Sequence, residues 1–170
     1  MKNSIKTIIS RLYKNTISKD SFIEKYEQEE EISIDELYIK NLIKKGIENK
    51  SASDVEEAIV LIYSSNFDNH EYIDELCNIL LESWHFKHED IVKILQNLRD
   101  PSTVDCLYKV AEMHFDYLDY DDTYQLARKS IKALSAIDSD EAIDKLHLLS
   151  NSKIPLISDY AIKEIKSKGL

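Results

Sequence analysis

His85–Leu149 reads HFKHEDIVKILQNLRDPSTVDCLYKVAEMHFDYLDYDDTYQLARKSIKALSAIDSDEAIDKLHLL, and it holds one short phrase twice. The first copy is Leu95–Leu107, LQNLRDPSTVDCL; the second is Leu134–Leu146, LSAIDSDEAIDKL. Laid over each other, Leu95 falls on Leu134, Leu98 on Ile137, Val104 on Ile143 and Leu107 on Leu146. Each copy closes one apolar helix, turns on a short acidic linker and opens another. Self-similar helical hairpins of about 40 residues are the sequence signature of a helical repeat array.

The run Ala127–Asp138, ARKSIKALSAID, resembles the first helix of a HEAT-like repeat of the phycobilisome-lyase type. Ser139–Leu146, SDEAIDKL, resembles its turn and second helix, and Pro155–Ile165 resembles the start of a further unit with Ala161 at the small packing position. That last unit lacks the usual Asp at its start. The resemblance covers residues 85–165 well and 52–84 loosely, and leaves 1–50 uncovered. It implies an all-α fold: a short right-handed α-solenoid of HEAT-like helical hairpins, about ten helices in all, whose concave face is a rigid binding surface. Residues 1–170 then form a single helical domain, with 1–50 an N-terminal helical cap or extension and 51–170 the repeats. On function the repeat is nearly silent, because such scaffolds serve many partners.

Composition points the same way. Two Gly and two Pro in 170 residues favour long helices over a turn-rich β fold. No apolar run approaches the roughly 18 residues needed to span a membrane. The start, MKNSIKTIISRLYKN, is broken by Lys6 and Arg11 and lacks the apolar core of a signal peptide. A cytoplasmic protein is the expectation, with Cys77 and Cys106 reduced and buried at apolar helix positions and a disulfide the alternative. The net charge is −10, and residues 51–125 carry the whole excess, with 17 Asp/Glu against 4 Lys/Arg. A field of that sign repels nucleic acid and anionic membrane and attracts basic partners.

Taken in order, apolar spacing predicts ten helices. The first covers 2–15 through Ile5, Ile8, Ile9 and Leu12. Capping pairs Ser21/Glu24, Ser33/Glu36, Ser53/Glu56 and Asp138/Glu141 open the second, third, fourth and ninth. Leu37, Leu42 and Ile43 are expected to be buried in the third, which Gly46 weakens near its end. The fifth runs from about His70 to Trp84 and the sixth over His88–Leu98. Asp100 with Pro101 starts the seventh, Asp121 or Asp122 caps the eighth, and Pro155 starts the tenth.

Two segments can carry recognition. Phe115–Asp122, FDYLDYDD, interrupts the helical period and sets Asp116, Asp119, Asp121 and Asp122 beside Tyr117 and Tyr120. Carboxylates with rigid amphipathic rings suit a basic protein surface; the alternative is a helix cap and a solvated loop. A calcium loop does not fit, for the glycine turn and terminal Glu of an EF-hand are missing. The second segment, Trp84–Asp90, WHFKHED, gathers Trp84, His85, His88 and Glu89. Its histidines invite a metal, but they straddle a helix start and lack the helical spacing of zinc hydrolases, so a Trp-anchored turn is the simpler account. No phosphate loop, nucleophile elbow or redox Cys pair is present, and neither catalytic residue, metal nor cofactor is expected.

Together these features describe a protein-binding module, and most sharply an immunity protein that neutralises a basic cognate toxin, such as a nuclease, with an acidic surface. The step from binder to immunity rests on similarity to small acidic solenoids that partner secreted toxins. The alternatives are an enzyme or enzyme accessory of the same repeat type, lyase-like or acting in nucleic-acid repair, and an adaptor in a larger complex. A repair glycosylase needs a basic DNA-facing groove, which the acidic middle of this chain opposes.

Overall fold

The computed structural model describes residues 1–118 and 120–169. They form ten α-helices: α1 Asn3–Tyr13, α2 Lys19–Glu30, α3 Glu36–Asn49, α4 Ala52–Ser64, α5 Ile73–Leu80, α6 His88–Leu98, α7 Val104–Glu112, α8 Gln125–Ile137, α9 Asp140–Leu149 and α10 Pro155–Ser167. Short 3-10 turns precede α5 (Asn69–Tyr72) and α7 (Pro101–Thr103), and a third occupies Asp116–Leu118. No strand occurs among the described residues, so the chain is all-α as its periodicity predicts. Among the described residues no helix is long and apolar enough to cross a membrane.

The helix starts differ in detail from the capping pairs. Ser18, Asp35, Ser51 and Ser139 are the residues whose side chains accept the N–H three positions on. Each lies one to three residues from the Ser or Asp that the S-x-x-E pattern selects. Several short polar residues compete at each start, and the phase of the buried stripe decides between them. Leu37 shows this directly: it is 62% exposed. The buried stripe of α3 is Ile39, Leu42, Ile43 and Gly46, and Leu37 points away from it. Gly46 is there for proximity, since a Cβ on it would stand 3.1 Å from Val55 Cγ2 of α4.

The chain divides into two compact units, Met1–Glu75 and Leu76–Leu170, and the division falls inside α5, well past residue 50, where the sequence reading parts the cap from the repeats. In the first unit α4 is buried on nearly every side, through Val55, Ala58, Ile59, Val60, Leu61 and Ile62. A helix apolar all round belongs in the middle of a unit. It packs on α2 and α3, while α1 packs on α2. A polar chain runs through this core: the Tyr38 and Tyr26 hydroxyls lie 2.9 Å apart, and Tyr26 donates to Glu57 Oε1 at 2.7 Å. Burial holds both the Tyr26 hydroxyl and the Glu57 carboxyl above their usual titration ranges.

In the second unit α6, α8 and α10 touch in succession, α7 packs on α9, and α7–α8, α8–α9 and α9–α10 contacts join the two rows. Leu95, Val104, Leu107, Leu134 and Leu146 are fully buried. Leu98 and Ile143 are only half-buried, the two loose positions of the repeated phrase. The repeat extends to the backbone. Arg99 and Asp138 each end a helix in the left-handed conformation, φ 55° and 57°. They stand at the same separation as Leu95 and Leu134. The residue after each, Asp100 and Ser139, caps the next helical turn.

The expectation of reduced cysteines is corrected here. Cys77 of α5 and Cys106 of α7 form a disulfide, with Cα atoms 5.5 Å apart. Cys106 is buried and Cys77 half-buried, and their separation lies within the range a bridge can span. Sequence spacing alone cannot supply such proximity.

Candidate partner-binding surface

The second unit brings the two candidate segments together. After α5 the chain turns through Leu81–Lys87, and this turn is built on a pair of histidines. His85 and His88 are fully buried, their rings stacked with centroids 4.0 Å apart. His85 Nε2 lies 2.7 Å from the Ile79 carbonyl and His88 Nε2 lies 2.8 Å from the Glu82 carbonyl. A carbonyl only accepts, so both Nε2 atoms carry the proton. Each Nδ1 is then an acceptor: from the Lys87 N–H at 3.1 Å in His85, and from the Tyr117 hydroxyl at 2.8 Å in His88. Every ring nitrogen is engaged in the neutral form. Burial, together with the neighbouring His85 ring, pushes His88 down to about 4, and burial lowers His85 as well. The histidines are thus the internal staple of the turn, with no lone pair left for a metal.

The Tyr117–His88 bond ties one candidate segment to the other. Burial pushes the Tyr117 hydroxyl up to about 12, which keeps it a donor. Phe115, itself buried, packs on His88 at 4.0 Å. Phe86 stands edge-on to Tyr117 with centroids 5.2 Å apart and is 65% exposed. Phe86 is the residue that sequence reading passes over. Its signal is an aromatic in a turn where the helical period gives it no apolar face to join. Trp84 is half-buried and donates to Glu82 Oε2 at 2.7 Å. Glu89 pairs with Lys129 of α8 at 2.7 Å.

Around this aromatic seam the acids divide. Asp121 is spent internally: its carboxylate accepts the N–H of Thr123 at 3.0 Å and of Gln125 at 2.6 Å, bracketing Tyr124, which adopts φ 50°. The Thr123 hydroxyl bond to this carboxylate holds its pKa below the usual range. Asp121 is therefore the cap of α8. Asp116 is fully exposed, with His114 3.8 Å away. Asp122 is exposed and bonded to no other described residue. Tyr120 is 82% exposed. Asp119 lies outside the described residues. Beside this loop a pocket of about 200 Å³ opens between the end of α7, the Asp116–Leu118 turn and the starts of α8 and α10.

Comparisons of the chain with protein-family models, with curated proteins and with solved structures found no match.

Proposed function

We propose that the chain is a protein-binding module, a short α-solenoid of HEAT-like hairpins that uses an acidic, aromatic surface of its second unit to hold a basic protein. In its sharpest form it is an immunity protein for a basic toxin. One observation carries the proposal: Phe86, edge-on to Tyr117, and Tyr120 are both largely exposed and lie with Asp116 and Asp122 in the acidic part of the chain. Exposed aromatics on a stapled, rigid base are the side chains that anchor protein interfaces, and an acidic rim speeds encounter with a positive partner. The solenoid rests on the repeated turn at Arg99 and Asp138 and on the alternating contacts of α6 to α10.

The test begins with affinity capture from the native cell and identification of a stoichiometric partner by mass spectrometry. Binding of the purified pair is then measured for Asp116→Asn with Asp122→Asn, and separately for Phe86→Ala with Tyr120→Ala. The acidic pair should slow association and flatten its salt dependence; the aromatic pair should raise the off-rate by the equivalent of about 2 kcal/mol or more. In the immunity form, both variants also lose protection of cells against the toxin. A stoichiometric partner that is acidic, or wild-type binding by both variants, would overturn the proposal.

A further inference from the structure

We infer that the pocket beside the Asp116–Leu118 turn receives an arginine side chain of the basic partner, an inference that rests on the protein-binding function proposed above. Its floor is apolar, formed by Leu118, Leu126 and Ile157, and its rim carries Glu112, Asp122 and the ring of Tyr124. No Lys or Arg lines it. An occupant must therefore bring an apolar stem and a positive head. At about 200 Å³ the space is smaller than the roughly 300–1,000 Å³ of sites for drug-sized ligands or cofactors, and suits one long side chain.

Arginine fits this wall better than lysine. Its methylene stem covers apolar surface while the head stays at the rim. Its planar guanidinium stacks on an aromatic face and engages carboxylates with two parallel N–H bonds, which an ammonium cannot do. Tyr124 is 40% exposed, so its ring remains open to stacking. Asp122 has no bond to another described residue to break. Asp121 also lines the pocket, but its carboxylate is held by the backbone of Thr123 and Gln125 and takes no part.

The test needs no identified partner. Isotope-labelled full-length protein is titrated with N-acetyl-arginine amide, with its neutral isostere N-acetyl-citrulline amide, and with N-acetyl-lysine amide, and the methyl signals of Leu118, Leu126 and Ile157 are followed. Arginine amide should shift these signals saturably, about tenfold more tightly than citrulline amide, the difference of one charge-assisted contact. Lysine amide should bind more weakly than arginine amide. Glu112→Gln with Asp122→Asn, both at exposed positions, should abolish the preference at an unchanged Tm. Equal binding of arginine and citrulline amides, tighter binding of lysine amide, or no shift of the pocket methyls would each overturn the inference. The two proposals fail separately. A basic partner whose affinity survives Glu112→Gln with Asp122→Asn sinks the pocket alone, and an acidic partner sinks the binding function whatever the amides do.

Discussion

Tyr26 and Tyr72 are both fully buried in the first unit and use their hydroxyls in opposite ways. Tyr26 donates to Glu57, whose carboxyl is itself buried, whereas the Tyr72 hydroxyl meets no hydrogen-bond partner among the described residues. Removing one member of a buried pair strands the other, so Tyr26→Phe should cost about 1–3 kcal/mol in denaturant unfolding. Tyr72→Phe removes an unpaired polar atom and should be neutral or slightly stabilising. Equal losses would mean that hydrogen bonding does not distinguish the two rings. The histidine staple makes a pH prediction. The unfolded chain protonates His88 near 6.5, while the folded chain resists until about pH 4. The unfolded state thus binds more protons across that window, and the staple's contribution is complete above about 6.5 and lost as pH falls towards 4. The loss is at most about 3.5 kcal/mol, from about 1.4 kcal/mol per pH unit of separation. Unfolding curves at pH 7 and pH 5 should differ by much less in His88→Asn than in the wild type.

Helix ends are the next level, and this chain closes several without glycine. Glu31, Lys50, Arg99 and Asp138 all terminate helices at positive φ. For L residues that conformation costs about 1–2 kcal/mol, part of which glycine returns through its greater unfolded freedom. Arg99 is exposed and bonded to no other described side chain. Arg99→Gly should therefore raise stability by about 0.5–1 kcal/mol, and a lowered Tm would show that its side chain has a role the backbone does not reveal. The disulfide joins α5 to α7 across 29 positions of chain. Closing a loop of that length stabilises by about 3–4 kcal/mol in the chain-entropy picture. Alkylation and mass spectrometry should find no free thiol without reductant and two with it, and reduction should lower the Tm. Two alkylated cysteines in material purified under oxidising conditions would refute the bridge. In a reducing compartment the same pair exists as thiols, so this bond is the direct probe of where the protein works.

Across the whole molecule the net charge of −10 repels itself at low ionic strength. Raising salt from about 20 mM to about 300 mM shortens the screening length severalfold and should raise the Tm; a falling Tm would mean that attractive pairs such as Lys145–Asp105 and Lys129–Glu89 dominate. The sequence by itself determined the helical class, the repeated turn and the ten helices to within a few residues, except that the fifth stops at Leu80 rather than Trp84, where the chain turns around His85 and His88. Those follow from local causes: apolar spacing sets which face is buried, short polar residues offer caps, and scarce glycine and proline leave long helices intact. Phe115–Asp122 was legible as a break in rhythm for the same reason. Only the tertiary structure decided which acids are free. Asp121 is a cap and Asp122 is not, because the backbone path through Tyr124 places one carboxylate over two N–H groups. It also decided that His85 and His88 lie under the surface while Phe86 stands on it, and that Cys77 and Cys106 meet. The Tyr117–His88 bond and the Cys77–Cys106 bridge each join residues 29 apart in the chain, a relation that no local pattern encodes.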